Sequence, residues 1–272
     1  MEILDESLEQ IARELKIDIL KMFYSSKTGH LAPALSCIDI LTVLYFGVKK
    51  DQDKIILSKG HGAAALYAVL AKAKVISREE LKTFYKYNSK LLGLASYGVQ
   101  GIDLPTGSLG QGICFATGVA KSYQIDDNKA YVYCILGDGE MQEGSVWEAV
   151  IFAANQKLKN LVVILDYNKI QASDRLENIA PMMPIREKWE AFGWNVEDVD
   201  GHDLMKIKNC IEQGKRNATG PMLIIAHTIK GKGISFIEDK NNCHTLNPKG
   251  EQWNAVCTEF NITLKELETY EK

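Results

Sequence analysis

Two short apolar runs joined by a helical segment are the feature that most constrains how this chain can fold. Residues 131–136 and 161–165 are rich in aliphatic and β-branched side chains and are bounded by glycine or polar residues, which predicts two buried strands. Residues 144–156 lie between them and place apolar side chains at helical spacing, at Val146, Trp147, Val150 and Ile151. The order strand, helix, strand predicts a βαβ unit with parallel strands and a right-handed crossover.

Other periodic segments extend this unit into a larger α/β arrangement. Helical spacing predicts further helices at residues 4–22, 36–46, 63–73, 108–123, 203–215 and from 248 onward. Two more apolar or alternating runs predict strands at residues 194–199 and 222–226. Residues 91–107 are glycine-rich and lack helical spacing, which is typical of a long functional loop. Because no repeat or linker interrupts the pattern, we expect one α/β domain over residues 1–272, with a parallel β-sheet flanked by helices.

Polar residues follow both strands of the βαβ unit at the point where each strand ends. Asp138 follows the first strand and Asn168 follows the second. Since parallel strands bring their carboxyl ends to one edge of the sheet, where open α/β sheets bind ligands, we expect these two residues to be neighbours. Mg²⁺ prefers hard oxygen ligands and usually takes one or two carboxylates together with phosphate and water. The pair therefore predicts a metal site.

The residues around Asp138 favour a diphosphate next to that metal. Gly137 and Gly139 carry no side chains, so backbone can approach a phosphate closely, and the helix that follows offers free N–H groups at its start. Each element alone has a simpler interpretation, in which Gly-Asp-Gly is a tight turn and Asn168 an ordinary loop residue. Their pairing across one βαβ unit favours the metal–diphosphate site.

Charge and composition exclude several classes of partner. The net charge is −3, and no basic run with interleaved aromatic residues occurs, so nucleic-acid binding has no support. We interpret the lysines at 49–50 and 230–232 as solvated surface or local anion contacts.

The sequence also predicts a cytoplasmic protein that does not enter a membrane. The first ten residues are acidic, unlike a secretory leader, and no stretch approaches the about 18 uninterrupted apolar residues that a span needs. The cysteines lie far apart and form no zinc-like grouping with histidine, at positions 37, 114, 134, 210, 243 and 257. We expect them to be reduced and mostly buried.

An ordered series of motifs resembles the amino-terminal portion of transketolases, the thiamine-diphosphate enzymes that move two-carbon ketol units between sugars. The motifs are Gly29-His30, Leu57-Ser58-Lys59-Gly60-His61-Gly62, Thr106-Gly107-Ser108-Leu109-Gly110-Gln111-Gly112, Gly137-Asp138-Gly139-Glu140, Gln142-Glu143-Gly144, Trp147-Glu148-Ala149, Asp166-Tyr167-Asn168-Lys169-Ile170, His227-Thr228 and Lys230-Gly231-Lys232-Gly233. The resemblance covers nearly the whole chain and implies the thiamine-diphosphate-binding fold.

The resemblance implies a role for particular residues. Asp138, Asn168 and the backbone carbonyl of Ile170 would hold Mg²⁺, or Ca²⁺ or Mn²⁺ in its place. The residues implied to contact or surround thiamine diphosphate are His61, Gly107, Ser108, Leu109, Gly137, Asp138, Gly139, Glu140, Glu143, Asp166, Asn168, Ile170 and His244. Within that set Gly107 and Leu109 would line the rings, Asp166 would lie on the thiazolium side, and Glu143 would lie at a contact between subunits.

Three histidines are the candidate catalytic residues under this resemblance. His30 would face the reacting sugar, while His61 and His244 would contact the diphosphate. A histidine beside glycine on a loop is also common as an ordinary polar surface group. We interpret His202 and His227 as structural, and Trp147 and Met141 as packing residues.

Complete transketolases add a pyrimidine-binding domain and a carboxyl-terminal domain, which this sequence does not contain. We therefore expect a split enzyme that is inactive alone and works in an α2β2 heterotetramer with a separate chain carrying those domains. The substrates implied are a ketose or ketose phosphate donor and an aldose acceptor.

One departure from the family concerns the donor sugar. Most transketolases carry Gly-His-Pro where this chain reads Gly93-Leu94-Ala95, and that histidine is expected to bind ketose hydroxyls. A site with an apolar side chain at this position no longer selects for a hydroxyl of the donor sugar and tolerates a methyl group there. Leu94 therefore favours an unusual donor such as a deoxyketose, or acetyl transfer.

Three alternatives remain at this stage. Acyloin formation from pyruvate would differ in releasing CO₂, and a non-catalytic regulatory subunit would not need the metal residues. A nicotinamide dehydrogenase is disfavoured, because residues 107–112 follow a loop and lack the G-x-G-x-x-G order.

Overall fold

The fold is built around a five-stranded β-sheet. The computed structural model describes residues 6–271. The strands are β1 (Lys54–Leu57), β2 (Val132–Gly137), β3 (Leu161–Tyr167), β4 (Asn195–Asp200) and β5 (Met222–His227). Their order across the sheet is β1, β2, β3, β5, β4, and each neighbouring pair is parallel. The prediction of a parallel α/β sheet is confirmed.

Helices cover both faces of this sheet. In chain order they are α1 (Leu8–Ser26), α2 (Leu31–Val43), α3 (Ala63–Lys72), α4 (Gln111–Ile125), α5 (Gly144–Asn155), α6 (Leu176–Ile179), α7 (Ile185–Ala191), α8 (Leu204–Asn217), α9 (Gln252–Phe260) and α10 (Leu264–Leu267). One apolar core joins one face of the sheet to α1, α2, α3 and α8, and the other joins the opposite face to α4, α5 and α7. Because both faces are covered, every residue of β2 and β3 is buried.

The predicted βαβ unit is present with bounds close to those expected. β2 and β3 run parallel with Gly137 opposite Asp166, and α5 connects them. Each strand is longer at its carboxyl end than the sequence predicted, so β2 ends directly before Asp138 and β3 directly before Asn168. The sheet therefore delivers both residues to the same edge.

Helix α2 departs from its predicted bounds and forms part of a long apolar segment. It begins at Leu31 instead of residue 36 and continues into a π-helical turn, Leu44–Val48. By length and composition the combined stretch of 18 residues could cross a membrane, but Ser36, Asp39 and Thr42 interrupt it, so it does not contradict the prediction, which concerned uninterrupted apolar runs. The whole of α2 is buried, and 78% of the 18-residue stretch is buried, which is typical of a core helix.

Several smaller predictions also need correction. Helix α1 begins at Leu8, capped by Ser7, and runs to Ser26, while residues 1–5 lie outside the described part of the chain. The strand β1 and the short helices α6 and α7 were not predicted. The expected final helix is instead two short helices, because Asn261 adopts a left-handed conformation (φ 50°) after α9.

The cysteines behave as predicted. All six are free thiols, and those at positions 37, 134, 243 and 257 are buried.

Candidate active site

The two predicted metal ligands lie together at the carboxyl edge of the sheet. Asp138 Oδ1 accepts a hydrogen bond from the N–H of Gly139 at 2.7 Å, and Asp138 Oδ2 accepts one from the N–H of Lys169 at 2.5 Å. Lys169 follows Asn168 directly, so one carboxylate joins the loops after β2 and β3. Asn168 Oδ1 accepts from the N–H of Ile170 at 3.1 Å, which orders the turn that presents the Ile170 carbonyl.

The buried carboxylate of Asp138 is suited to bind a cation. Its side chain is only 3% exposed, and burial, followed by the nearby charge of Asp166, raises its pKa to about 6. Its direct hydrogen-bond partners are backbone N–H groups, which carry no net charge. Within residues 6–271 no cluster of three or more His, Cys, Asp or Glu side chains could hold a metal, so a metal bound at Asp138 would need other oxygen ligands. Such a donor set, with an amide and a carbonyl oxygen, fits Mg²⁺ completed by phosphate and water.

Lys230 lies in this site, which excludes the solvated-surface alternative for it and leaves the alternative of a local anion contact. It is 2% exposed, and its ammonium donates to the carbonyls of Ile170 at 2.8 Å and Gln171 at 3.0 Å. The ammonium also lies 3.0 Å from Nδ1 of His244. Burial, followed by the charge of Lys59, lowers the pKa of Lys230 to about 8. The signal for this role was its position two residues after Thr228, just past the end of β5.

The three candidate catalytic histidines form one cluster. Ring centroids are 6.0 Å apart for His30 and His61, 5.1 Å for His30 and His244, and 5.2 Å for His61 and His244. Burial is the main cause that lowers all three pKa values, to about 3 for His244 and well below the ordinary value for His61. All three rings are therefore neutral at pH 7, and each can donate one N–H and accept at its other nitrogen. Nδ1 of His30 is buried without a hydrogen-bond partner among the described residues.

The other two histidines have structural contacts, as predicted. His202 Nδ1 lies 2.8 Å from the buried carboxylate of Asp39, and His202 Nε2 accepts from the N–H of Ile229. His227 is exposed and contacts Asp198 at 2.6 Å.

Asp166 lies beneath the site, and its predicted position on the thiazolium side stays a prediction. Its side chain is fully buried and accepts hydrogen bonds from Ser36 at 2.6 Å and from Thr228, and it forms an ion pair with Lys59. Lys59 is itself 1% exposed. Lys59 belongs to the motif of residues 57–62, but the sequence did not predict its pairing with Asp166.

The loop that would line the cofactor's rings lies against two other parts of the site. A Cβ on Gly60 would lie 2.4 Å from the carbonyl oxygen of Thr106, so this loop approaches the turn that carries His61 as closely as glycine allows. Gly107 lies beneath Leu94, because a Cβ there would come 2.7 Å from Cδ1 of Leu94. Leu109 follows in the same loop and is half-buried.

Leu94 has a fixed position on this rim. Its carbonyl accepts hydrogen bonds from the hydroxyls of Tyr67 and Ser96, both at 2.7 Å. The next residue, Ala95, is held by backbone hydrogen bonds to Gly60 and Thr106. The Leu94 side chain is 42% exposed and covers Gly107.

The remaining predicted residues separate into exposed and buried sets. Ser108 and Glu143 are exposed, and a Cβ on Gly110 would lie 2.9 Å from Cβ of Glu143. Gly137 and Glu140 are buried, and both carboxylate oxygens of Glu140 accept hydrogen bonds from protein groups.

Comparison with known proteins identifies relatives of the whole chain. The family described as "Transketolase, thiamine diphosphate binding domain" matches residues 4–262. The 6-deoxy-6-sulfo-D-fructose transketolase subunit SqwG of Clostridium sp. (strain MSTE9) is 40% identical over 242 residues, covering 85% of this chain and 88% of that protein. One of the subunits of apulose-4-phosphate transketolase from Phocaeicola vulgatus is 34% identical over 272 residues, covering 97% of each chain.

Longer relatives match over part of their length only. Human transketolase is 39% identical over 249 residues, which is 88% of this chain and 40% of that protein. The crystal structure of transketolase from Campylobacter jejuni superposes with a TM-score of 0.87 at 28% identity, covering 97% of this chain and 45% of that one. The chain thus spans less than half the length of these proteins.

Proposed function

The chain belongs to the transketolase family, and on that premise we propose that it is the thiamine-diphosphate- and metal-binding subunit of a split transketolase. The proposed reaction transfers a two-carbon ketol unit from a ketose donor to an aldose acceptor. The observation that carries the proposal is the meeting of Asp138, Asn168 and the three-histidine cluster at one edge of the sheet. The metal we propose is Mg²⁺, with Ca²⁺ or Mn²⁺ able to replace it.

The residues present fit a diphosphate as well as a metal. Asp138, Asn168 and the Ile170 carbonyl would hold the cation, which would neutralise the buried carboxylate. Lys230 supplies a second positive charge beside the same carbonyl. Neutral rings at His61 and His244 can each donate one N–H to phosphate oxygens.

The division of labour follows from what each component can do. Thiamine diphosphate, when bound, supplies the carbanion-stabilising chemistry of ketol transfer. The chain binds and orients it and excludes water from the buried edge of the sheet. His30 has a neutral, half-buried ring in the cluster, so we propose that it exchanges a proton with a hydroxyl of the sugar.

A partner chain completes the proposal. The relatives named as subunits support a partner, since the proteins of the 6-deoxy-6-sulfo-D-fructose enzyme and the apulose-4-phosphate enzyme are both described that way. We propose that the partner carries a pyrimidine-binding domain and assembles with this chain as an α2β2 heterotetramer. The six free cysteines agree with a cytoplasmic location.

Binding and turnover test this proposal separately. Titration calorimetry of the chain with Mg²⁺ and pyrophosphate should show binding, which Asp138→Asn should abolish. With the co-purified partner, transfer from xylulose 5-phosphate to ribose 5-phosphate should require thiamine diphosphate and Mg²⁺. A complex that binds the cofactor but transfers nothing from any ketose would favour the non-catalytic role, and CO₂ release from pyruvate would favour acyloin formation.

The position of Leu94 favours a second candidate, in which the donor is an unusual ketose. Its apolar side chain is fixed above Gly107, so this wall of the site offers no hydrogen bond to a donor hydroxyl. Two relatives are named for unusual ketoses, 6-deoxy-6-sulfo-D-fructose and apulose 4-phosphate. We propose that the donor lacks, or does not use, a hydroxyl that ordinary ketose phosphates present here.

A histidine restored at this position tests the second candidate. Leu94→His should raise kcat/KM for xylulose 5-phosphate relative to a deoxyketose phosphate, because the new ring can bind a hydroxyl. Leu92→His is the matched control, since Leu92 is 48% exposed in the same loop. Equal donor preference in wild type and Leu94→His would remove Leu94 as a specificity residue.

A further inference from the structure

Glu140 connects three separate segments of the site with one carboxylate. Its Oε1 accepts hydrogen bonds from the Ser58 hydroxyl at 2.5 Å and from the Gly110 N–H at 2.8 Å, and its Oε2 accepts from the Gly137 N–H at 3.0 Å. The side chain is 1% exposed. Both oxygens therefore accept hydrogen bonds from the protein itself.

The three segments are those that carry the proposed ligand contacts. Ser58 begins the turn that leads to His61, and Gly110 ends the loop 107–110. Gly137 directly precedes Asp138. These segments are distant in sequence, and Glu140 lies on the turn after Asp138. One side chain thus sets the spacing between the metal residue, the diphosphate histidine and the ring-lining loop.

The backbone segments around this carboxylate are packed closely against one another. A Cβ on Gly112 would lie 2.5 Å from Cα of Ser58, so the start of α4 approaches the β1 turn without room for a side chain. Gly110 has a positive φ of 82° and its N–H points to Glu140. Loss of the carboxylate would leave this buried N–H unpaired, which favours local movement of the loop.

We propose that Glu140 is a positioning residue that holds the ring-lining loop 107–110 at a fixed distance from the metal and diphosphate residues. This inference rests on the proposed function, because it assigns the ring side of the same cofactor to that loop. Glu140 acts on thiamine diphosphate through Gly110, and it contributes to the placement of the rings more than to the affinity for the diphosphate.

Two neutralising substitutions provide a matched comparison. Glu140→Gln keeps the size of the side chain but replaces one acceptor oxygen with a donor, so at least one of the three donors loses its partner. Asp53→Asn is the control, because Asp53 is 3% exposed and its carboxylate also accepts two backbone N–H groups, from Lys50 and Tyr131, at the opposite end of the sheet. The two variants should lose similar global stability.

Calorimetric affinities for Mg²⁺–thiamine diphosphate and for Mg²⁺–pyrophosphate separate ring placement from diphosphate binding. Glu140→Gln should weaken the affinity for Mg²⁺–thiamine diphosphate by about tenfold, equivalent to one lost hydrogen bond. The affinity for Mg²⁺–pyrophosphate should change by less than about threefold. Asp53→Asn should leave the ratio of the two affinities unchanged. Parallel weakening of both ligands in Glu140→Gln, or an equal ratio in the two variants, would overturn the inference. Failure of the wild type to bind Mg²⁺–pyrophosphate would instead contradict the proposed function.

Hydrogen exchange of the chain without ligand tests the same inference independently of the cofactor. Glu140→Gln should exchange faster at residues 106–112 and at the turn after β1, whereas Asp53→Asn should not. Glu140→Asp keeps the charge but shortens the side chain, so its carboxylate cannot reach all three donors, and it gives a milder version of the same pattern if Glu140→Gln does not fold. Unchanged exchange at residues 106–112 in either site variant would show that Glu140 does not hold the loop.

Discussion

Asp166 and Glu140 are two buried carboxylates under the same site, and the chain stabilises them in different ways. Burial by itself would raise the pKa of Asp166, but the Lys59 ammonium and the hydroxyls of Ser36 and Thr228 hold it below the ordinary value. Burial raises the pKa of Glu140, and its two N–H donors and the Ser58 hydroxyl offset this only in part. A cation is a direct partner of Asp166, whereas the direct partners of Glu140 are neutral donors.

This difference in partners predicts different roles for the two carboxylates. The Lys59–Asp166 pair connects the turn after β1 to β3, and each member lies two residues before a proposed ligand residue, His61 or Asn168. Glu140 connects loops through groups that can each move separately. We therefore expect the ion pair to matter mainly for the stability of the folded chain, and Glu140 mainly for the geometry of one loop.

The largest expected effect comes from removing the cation. Lys59→Met leaves the Asp166 carboxylate buried without its counter-charge and should reduce the free energy of unfolding by about 3 to 5 kcal/mol. Glu140→Gln removes no cation and should cost about 1 to 3 kcal/mol. Urea denaturation monitored by tryptophan fluorescence measures both values.

A double variant tests whether the stability lost in Lys59→Met is caused by the uncompensated charge of Asp166. Lys59→Met combined with Asp166→Asn should recover most of the lost stability, because a neutral pair of similar volume replaces a buried ion pair at little cost. If Lys59→Met were no more destabilising than Glu140→Gln, the contrast between the two carboxylates would be wrong.

The sequence predicted one part of this site well because the signal was local. The two buried runs and the helix between them defined β2, α5 and β3 to within about two residues, a good result for element bounds. Their parallel pairing then placed Asp138 and Asn168 together. The motifs supplied the three histidines, which the structure brings into one cluster.

The buried lysines could not be predicted in the same way. Lys59 and Lys230 lie in glycine-rich turns, where a lysine is ordinarily exposed. Their buried partners come from segments far away in sequence, namely Ser36 and Asp166 for Lys59, and Ile170 and Gln171 for Lys230. Asp166 follows an apolar run, but its partners Ser36 and Thr228 come from segments far away in sequence. Strand β1 has four residues and gives too short a pattern to recognise.

An intermediate effect is expected from the two serine hydroxyls that donate to these carboxylates. Ser58→Ala removes one of only three donors to Glu140, while Ser36→Ala removes a donor from a carboxylate that keeps Lys59 and Thr228. Both should lower the free energy of unfolding by about 1 to 2 kcal/mol, with the larger loss for Ser58→Ala. Thermal and urea unfolding compare the two variants directly, and an equal or larger loss for Ser36→Ala would mean that the cation does not dominate at Asp166.

The smallest expected effect is a difference in the pH dependence of stability. The folded pKa of Asp166 is lowered, so its stabilisation is present above the ordinary value of 3.8 and is lost as the pH falls through the folded pKa. The folded pKa of Glu140 is raised, so between 4.5 and that pKa the folded chain binds more protons than the unfolded chain, and stability falls as pH rises.

The stability advantage of wild type over Glu140→Gln should therefore grow as the pH is lowered from 8 towards 4.5. The advantage over Asp166→Asn should stay constant in that range and decline only below 3.8. Urea unfolding at a series of pH values measures both differences, and a common trend for the two variants would show that the Lys59 cation does not distinguish these carboxylates.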